Sequence, residues 1–152
     1  MATSRSDQRP SLLVISGLDP SGGAGFIADV RVAEMLAVRA VGVVVALTEQ
    51  STTGVRACHP VAAEIIGAQL MALLSDVPVD AVKIGMLGAV SVAAAVIRAL
   101  GGTHAPIVWD PVVMPTAGGI SLLAGDPRQA ARALLPIARV VTPNLPEAEM
   151  LV

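Results

Sequence analysis

Predicted strands and helices alternate along the 152 residues of this chain, and that alternation limits the possible folds more than any other feature. Short β-branched apolar runs predict strands, and apolar residues at helical spacing predict the helices between them. The predicted strands are Leu12–Ser16, Val41–Thr48, Val79–Ile84, Ile107–Asp110 and Val140–Thr142. The predicted helices are Ala24–Val38, Val61–Leu74, Val90–Leu100 and Pro127–Leu135, with a last one beginning near Pro146. This order is typical of an α/β fold in three layers (αβα), with a mostly parallel central sheet.

The composition excludes several classes of protein. The chain is 54% hydrophobic and 14% charged, which excludes intrinsic disorder. Ten Lys and Arg against twelve Asp and Glu exclude a basic nucleic-acid-binding surface. The longest apolar run, Ile84–Ile97, is shorter than the roughly 20 residues that span a bilayer, and the polar tail at Met1–Pro10 lacks the apolar core of a signal peptide. With Cys58 as the only cysteine, we expect a cytoplasmic protein that has no intrachain disulfide and no membrane partner.

Glycine-rich or polar segments follow each predicted strand. Because the carboxyl ends of parallel strands meet at one edge of a sheet, and ligands of such folds bind there, we expect these segments to line a common site. The prediction is strong because five separate segments are expected at the same edge. These segments are Gly17–Gly25, Thr48–Gly54, Gly85–Gly88, Asp110–Gly119 and Pro143–Glu147.

The chemistry of single residues in these segments leaves alternatives open. The loop Gly17–Gly25 could bring backbone amides to a ligand or serve only as a turn. It lacks the lysine of a P-loop, and residues 23–28 match the dinucleotide pattern G-x-G-x-x-A only weakly. Asp29 could accept from an amino group and Gln50 could pair with a heterocycle edge, although each is more often an exposed polar residue. Asp110, at a strand end, is either a site residue or a turn residue.

Other residues have simpler interpretations. Met86 and Val112 are expected in the core. Lys83, the only lysine, is expected to extend from a strand end into solvent. Cys58 and His59 are expected in a loop and receive no role.

Five segments together resemble one family, the hydroxymethylpyrimidine/phosphomethylpyrimidine kinases of thiamine biosynthesis, which belong to the ribokinase-like superfamily. The resemblance covers about Leu12 to Val152, in family order and spacing. Its most specific strings are Ile-Gly-Met-Leu at 84–87 and Thr-Pro-Asn-Leu-Pro-Glu-Ala at 142–148. The other matching segments are Gly-Leu-Asp-Pro-Ser-Gly-Gly-Ala-Gly at 17–25, Leu-Thr-Glu-Gln-Ser-Thr at 47–52 and Trp-Asp-Pro-Val at 109–112.

The resemblance implies ATP-dependent phosphorylation of hydroxymethylpyrimidine and of its monophosphate, with Mg²⁺. It implies that Gly17, Asp29, Gln50, Met86 and Val112 bind the aminopyrimidine, with Asp29 taking the exocyclic amine. It also implies that Asn144 and Glu147 position the magnesium-bound phosphates, Glu147 partly through water, and that Asp110 belongs to the same polar cluster. Magnesium prefers oxygen ligands and retains waters, which suits this set. A homodimer is compatible with this interpretation.

The sequence departs from the family pattern in two places. Residues 113–119 lack the lysine, serine and aspartate that family members usually carry there. The glycine-rich anion hole with its catalytic base does not occur in the 152 residues, so the catalytic residue is unknown. We therefore expect a polar tail at 1–10 followed by part of a ribokinase-like kinase domain at 11–152, of doubtful activity alone. The alternatives are a pyridoxal kinase-like enzyme, a non-catalytic pyrimidine-binding module and an inactive fragment.

Overall fold

The computed structural model describes residues 9–114 and 120–151, which form alternating strands and helices as predicted. The strands are β1 (Ser11–Leu18), β2 (Arg39–Ser51), β3 (Gly54–Pro60), β4 (Ala81–Ile84), β5 (Gly88–Ala89), β6 (Ile107–Trp109), β7 (Leu123–Ala124) and β8 (Val140–Val141). The helices are α1 (Gly25–Met35), α2 (Ala63–Asp76), α3 (Val90–Leu100), α4 (Pro127–Leu134) and α5 (Leu145–Leu151). The predicted N-terminal tail lies almost wholly outside the described residues.

The main sheet has six strands in the order β3-β2-β1-β4-β6-β8. All neighbouring strands are parallel except β2 and β3, which form an antiparallel hairpin. β5 and β7 form a separate parallel pair. The chain leaves β1 toward one side for β2 and returns to the other side for β4, so the order reverses beside the central strand. Open α/β sheets bind their ligands outside the carboxyl ends of the strands at such a point.

The hairpin corrects two sequence predictions. Cys58 and His59 lie in β3, not in a loop, and Gln50 lies within β2, not after it. β3 was missed because it lacks clear apolar alternation. It is held instead by its ladder with β2, where Cys58 opposes Thr48 and His59 opposes Leu47. A strand stabilised by a partner carries little signal of its own.

The core lies between the sheet and the helices α2, α3 and α4. Leu13, Ile15, Val82, Ile84 and Trp109 point to this side and are at most 2% exposed. The apolar run Ile84–Ile97 is divided among the end of β4, the short β5 and α3. In the described part of the chain, no helix is long and apolar enough to cross a membrane.

The opposite face of the sheet is covered by α1, which packs on β1 and β2. Beside α1, an apolar groove includes Leu12 and Ala81 of the sheet together with Val32 of the helix and Leu36, which directly follows it. Val32 is 54% exposed and Leu36 is 70% exposed. The large apolar content noted in the sequence is therefore only partly buried on this side.

Candidate functional site

A cavity of about 690 Å³ opens at the carboxyl ends of the parallel strands. All five polar or glycine-rich segments contribute residues to it, which confirms that they share one edge of the sheet. Two ends of the cavity are distinguished below. The loop end is formed by Gly17, Asp19, Gln50, Met86 and Val112, and the helix end by Asp110, Thr142, Asn144 and Glu147.

Gly17, near the end of β1, and Gly25, the first residue of α1, both lie in close contacts. A Cβ on Gly17 would overlap Cε of Met86, the end of a flexible side chain, so glycine leaves room for Met86 to form the cavity wall without shifting. Gly25 has a φ of +58°, and its Cβ would overlap the carbonyl oxygen of Gly17. The loop can therefore fold back on the end of β1 only with glycine at position 25.

Met86 and Val112, two of the side chains predicted to contact the substrate ring, lie together at the loop end of the cavity. Met86 is 7% exposed and packs with Ala46 and Leu122, and Val112 packs against the same cluster. The half-buried Gln50 stands beside them in the cavity lining. This arrangement offers an apolar slot with one amide that can both donate and accept hydrogen bonds.

Thr48 lies between the end of β1 and Gln50. Its hydroxyl is 2.8 Å from the carbonyl oxygen of Leu18 and 3.1 Å from Oε1 of Gln50, and its one hydrogen is donated to one of these two acceptors at a time. Within the described part of the chain, the amide nitrogen of Gln50 makes no hydrogen bond. That nitrogen is the donor left for a ligand.

Asp29 is placed differently from the other predicted ring contacts. Both of its carboxylate oxygens accept from Nζ of Lys83, at 2.6 and 2.7 Å. Asp29 lines the apolar groove beside α1 and is not among the residues that line the main cavity, whereas Lys83 lines both. The expectation that Lys83 extends into solvent is wrong, because the ion pair across the α1–β4 contact holds its side chain at 25% exposure. The ligand contact of Asp29 stays a prediction.

The helix end is organised by a reciprocal pair at the start of α5. The backbone N–H of Asn144 donates to Oε2 of Glu147 at 3.0 Å, and the N–H of Glu147 donates to Oδ1 of Asn144 at 2.9 Å. This is the arrangement of a capping box. It leaves Oε1 of Glu147 and the amide nitrogen of Asn144 without a partner among the described residues. Glu147 is 5% exposed, so its carboxylate is held in place.

Asp110 faces this pair across the same cavity, and its Oδ1 accepts from the hydroxyl of Thr142 at 3.2 Å. Two carboxylates in one cavity fit Mg²⁺, which is usually bound by one or two carboxylates together with phosphate oxygens and water. Among the described residues, no cluster of three or more acidic, His or Cys side chains could hold a metal ion by itself. The donor set therefore suits a metal that arrives with a phosphate ligand. Residues 115–119, part of the segment 113–119 that departs from the family pattern, lie outside the described residues.

Cys58 packs against the apolar cluster of Ala46, Met86 and Leu122, next to the loop end of the cavity. Burial raises the pKa of the Cys58 thiol above its ordinary value, since the thiolate is less well solvated there. The side chain is therefore a weakly reactive thiol next to the loop end.

The sequence analysis missed Asp19, Thr48 and Thr142. Asp19 is 4% exposed although it is charged. The order Asp-Pro-Ser-Gly at 19–22 is a turn signature that could have identified it, because an Asp side chain often accepts from the backbone two residues on. Thr48 and Thr142 follow no comparable local pattern, and their roles depend on contacts with Leu18 and Asp110, which are distant in sequence.

Comparisons with known proteins show the family to which the chain belongs. Residues 19–152 match the family model of phosphomethylpyrimidine kinase. The hydroxymethylpyrimidine/phosphomethylpyrimidine kinase of Rhizobium meliloti is 42% identical over 139 residues, which is 91% of this chain and 52% of the relative. The chain thus spans about half the length of that relative.

Two solved structures share the fold. The phosphomethylpyrimidine kinase of Clostridium difficile superposes with a TM-score of 0.83 at 33% identity, over 95% of this chain and 63% of that one. A pyridoxal kinase from Staphylococcus aureus, solved with AMP-PCP and pyridoxal, superposes with a TM-score of 0.79 at 32% identity, over 94% of this chain and 51% of that one. The predicted ribokinase-like α/β fold is confirmed. On the match over residues 19–152, the chain belongs to the phosphomethylpyrimidine kinase family.

Proposed function

We propose that this chain forms the aminopyrimidine site and part of the phosphate site of an ATP-dependent hydroxymethylpyrimidine and phosphomethylpyrimidine kinase. The observation that carries the proposal is the convergence of Gly17, Gln50, Met86 and Val112 at one end of a single cavity. Family membership supports the reaction. The cavity gives the place in this chain where the substrate ring would bind.

In this proposal, the ring lies in the apolar slot between Met86 and Val112. The amide of Gln50 pairs with the ring edge, and the hydroxyl of Thr48 lies beside that amide. Asp29 takes the exocyclic amine, which requires that it share its carboxylate with Lys83. An ionised carboxylate has about four acceptor positions, so two hydrogen bonds from Lys83 do not saturate it.

At the helix end, Asp110, Asn144 and Glu147 would hold the phosphates of ATP and their Mg²⁺. The bound metal would neutralise charge on the transferring phosphoryl group, which is the main requirement of such reactions. The side chains of Asn144 and Glu147 are already oriented by their reciprocal hydrogen bonds. Their contribution is to position the phosphates without reorganising.

Calorimetric titration with hydroxymethylpyrimidine tests the binding proposal. The folded chain should bind one equivalent, and Gln50→Leu should weaken binding by about 5- to 100-fold, the effect of leaving polar groups unpaired. Gln69→Leu on the exposed side of α2 is the matched control and should leave affinity unchanged. A folded chain that does not bind hydroxymethylpyrimidine would exclude the proposal.

Kinase assays test the chemical step separately. Because the base motif of the family does not occur among these 152 residues, we expect the purified chain to bind the pyrimidine without phosphorylating it. Loss of a general base typically costs about 10²- to 10⁴-fold in rate. Turnover at the level of a complete family enzyme would contradict this expectation.

Pyridoxal is the second candidate ligand, favoured by the likeness to the Staphylococcus aureus pyridoxal kinase. Gln50 and Asp29 favour an aminopyrimidine, because an amide edge and a carboxylate match a ring nitrogen beside an amino group. Competition between the two compounds for the chain decides the question. The homodimer, and the division into a tail at 1–10 and a kinase-domain portion at 11–152, stay predictions.

A further inference from the structure

The carboxylate of Asp19 is buried inside the glycine-rich loop and is used by that loop alone. Oδ1 accepts from the backbone N–H of Ser21 at 2.8 Å and from its hydroxyl at 2.7 Å. Oδ2 accepts from the N–H of Ala24 at 3.0 Å. Asp19 is 4% exposed, and among the described residues no cation lies within ion-pair distance of it. Three donors from the loop are therefore what compensates the burial of this charge.

These bonds close the loop into a fixed shape. The N–H of Gly22 donates to the carbonyl oxygen of Asp19 at 3.0 Å, and Gly22 takes a φ of +72°. The bond to Ala24 ties the residue that immediately precedes α1, whose own side chain offers no cap. The carboxylate thus connects the start of the loop to the start of the helix.

The same loop forms one wall of the cavity, mostly with backbone. Besides Asp19 itself, the loop residues that line the cavity are Gly17, Leu18, Ser21, Gly23, Ala24 and Gly25. Apart from Leu18 and Asp19, this wall consists of glycine, alanine and serine, so few side chains define its shape. The positions of its amides and carbonyls depend instead on the conformation that Asp19 imposes.

We propose that Asp19 is a positioning residue of the ligand site: its ionised carboxylate sets the loop backbone against which the substrate ring binds. The proposal rests on the proposed function for the identity of the ligand. It assigns no contact between Asp19 and the ring. A carboxylate is required because both of its oxygens accept, whereas an amide would present an NH₂ group to the N–H of Ala24.

Asp19→Asn, which is nearly isosteric, is the direct test. Asp80→Asn is the comparison variant for loss of an aspartate charge outside the main cavity lining. Oδ2 of Asp80 accepts from the backbone N–H of Ser11, and an asparagine can keep this bond with its amide oxygen. Thermal unfolding and titration with hydroxymethylpyrimidine are measured for both variants. We expect Asp19→Asn to lower the melting temperature and to weaken binding by about tenfold or more at a temperature where it is folded, and Asp80→Asn to leave the affinity unchanged. Wild-type affinity in folded Asp19→Asn would overturn the proposal.

Amide hydrogen exchange in the unaltered chain is the second measurement, needed if Asp19→Asn does not fold. The N–H groups of Ser21 and Ala24 should be protected in the free chain and protected further when hydroxymethylpyrimidine binds. Rapid exchange at both positions would overturn the role of Asp19. If the unaltered chain binds no pyrimidine, the proposed function fails instead, and protection of the two amides still reports on the loop.

Discussion

The two ends of the cavity differ in how they are held. At the loop end, Asp19 is 4% exposed and Met86 is 7% exposed, and both are fixed by contacts within the protein. At the helix end, Thr142 and Asn144 are exposed and Asp110 is only half-buried. Glu147 is the one buried side chain among the four described residues of that end.

This difference separates two kinds of preorganisation. The loop end combines strands β1, β2 and β4 with the segment after β6, so its shape depends on the packing of the whole sheet. The helix end depends mainly on the local capping box of α5. We therefore expect substitutions at the loop end to affect both binding and stability, and those at the helix end to have smaller, local effects.

The largest effect is expected from Gly25→Ala. An alanine with a φ near +58° costs about 1–2 kcal/mol, and its Cβ would overlap the carbonyl oxygen of Gly17, a contact that backbone shifts relieve for about 1–3 kcal/mol more. We expect a marked fall in melting temperature together with loss of hydroxymethylpyrimidine binding, by thermal unfolding and calorimetry.

Gly23→Ala is the control for that experiment. Gly23 has no positive φ, and its Cβ would meet only ordinary contacts at 3.6 Å. We expect Gly23→Ala to keep the wild-type melting temperature, which is the property compared because Gly23 itself lines the cavity. An equal fall in the melting temperature of both variants would show that any side chain in the loop is harmful and that the fold-back at Gly25 is not special.

The next largest effect is expected from breaking the ion pair of Asp29 and Lys83. The same variants test whether Asp29 belongs to the loop end of the cavity. Lys83→Met should lower the free energy of unfolding by about 1–3 kcal/mol, because the partly buried Asp29 loses its charged partner. Denaturant titration measures this loss. Asp29→Asn should in addition weaken pyrimidine binding about tenfold if Asp29 takes the amine.

The two variants separate a contact from a structural role. Unchanged affinity in folded Asp29→Asn would show that the pair only joins α1 to β4, and the loop end would then exclude Asp29. Arg9 and Glu34 form an exposed ion pair elsewhere on the surface, and Glu34→Gln provides the control for loss of a carboxylate on α1.

A smaller effect is expected at the helix end. Asn144→Ala removes the capping oxygen of α5 and should cost about 0.5–2 kcal/mol locally. Hydrogen exchange in α5 should accelerate, while affinity for hydroxymethylpyrimidine stays unchanged. Weakened pyrimidine binding in this variant would show that the two ends are coupled.

The smallest effect concerns the thiol of Cys58. Because burial raises its pKa, alkylation of the native chain should be slower than in urea at the same mildly alkaline pH. The raised pKa also stabilises the fold below the pKa of the unfolded thiol, and this contribution is lost as the pH rises through the native value.

Alkylation also distinguishes the ends of the cavity. A ligand at the loop end should slow the reaction further, since Cys58 packs against the cluster that contains Met86. Magnesium and a nucleotide at the helix end should not change the rate. Equal protection by both ligands would contradict the separation of the two ends.

Much of the fold was predictable from the sequence because parallel strands, buried on both faces, carry strong apolar runs. The helix Val90–Leu100 was predicted at its observed bounds, since Gly88 and Gly101 enclose a segment that is apolar except for Ser91 and Arg98. The strand β3 was not predicted, because its residues become a strand only through pairing with β2. The convergence of five segments followed from the direction of the strands alone.

The sequence by itself determined the fold class, the common edge of the sheet and the family, because these depend on periodicity and on ordered motifs that are local in the chain. Tertiary structure alone decided which oxygen accepts from which donor. It paired Asp29 with Lys83, placed the hydroxyl of Thr48 beside Gln50 and buried the carboxylate of Asp19 inside its loop. The contact between Asp29 and Lys83 joins two elements that are distant in the sequence, and the contact between Thr48 and Gln50 lies within one strand. The contacts of Asp19 depend on a loop that folds back over β1. Hydrogen bonds act over about 3 Å, a distance that sequence spacing does not specify.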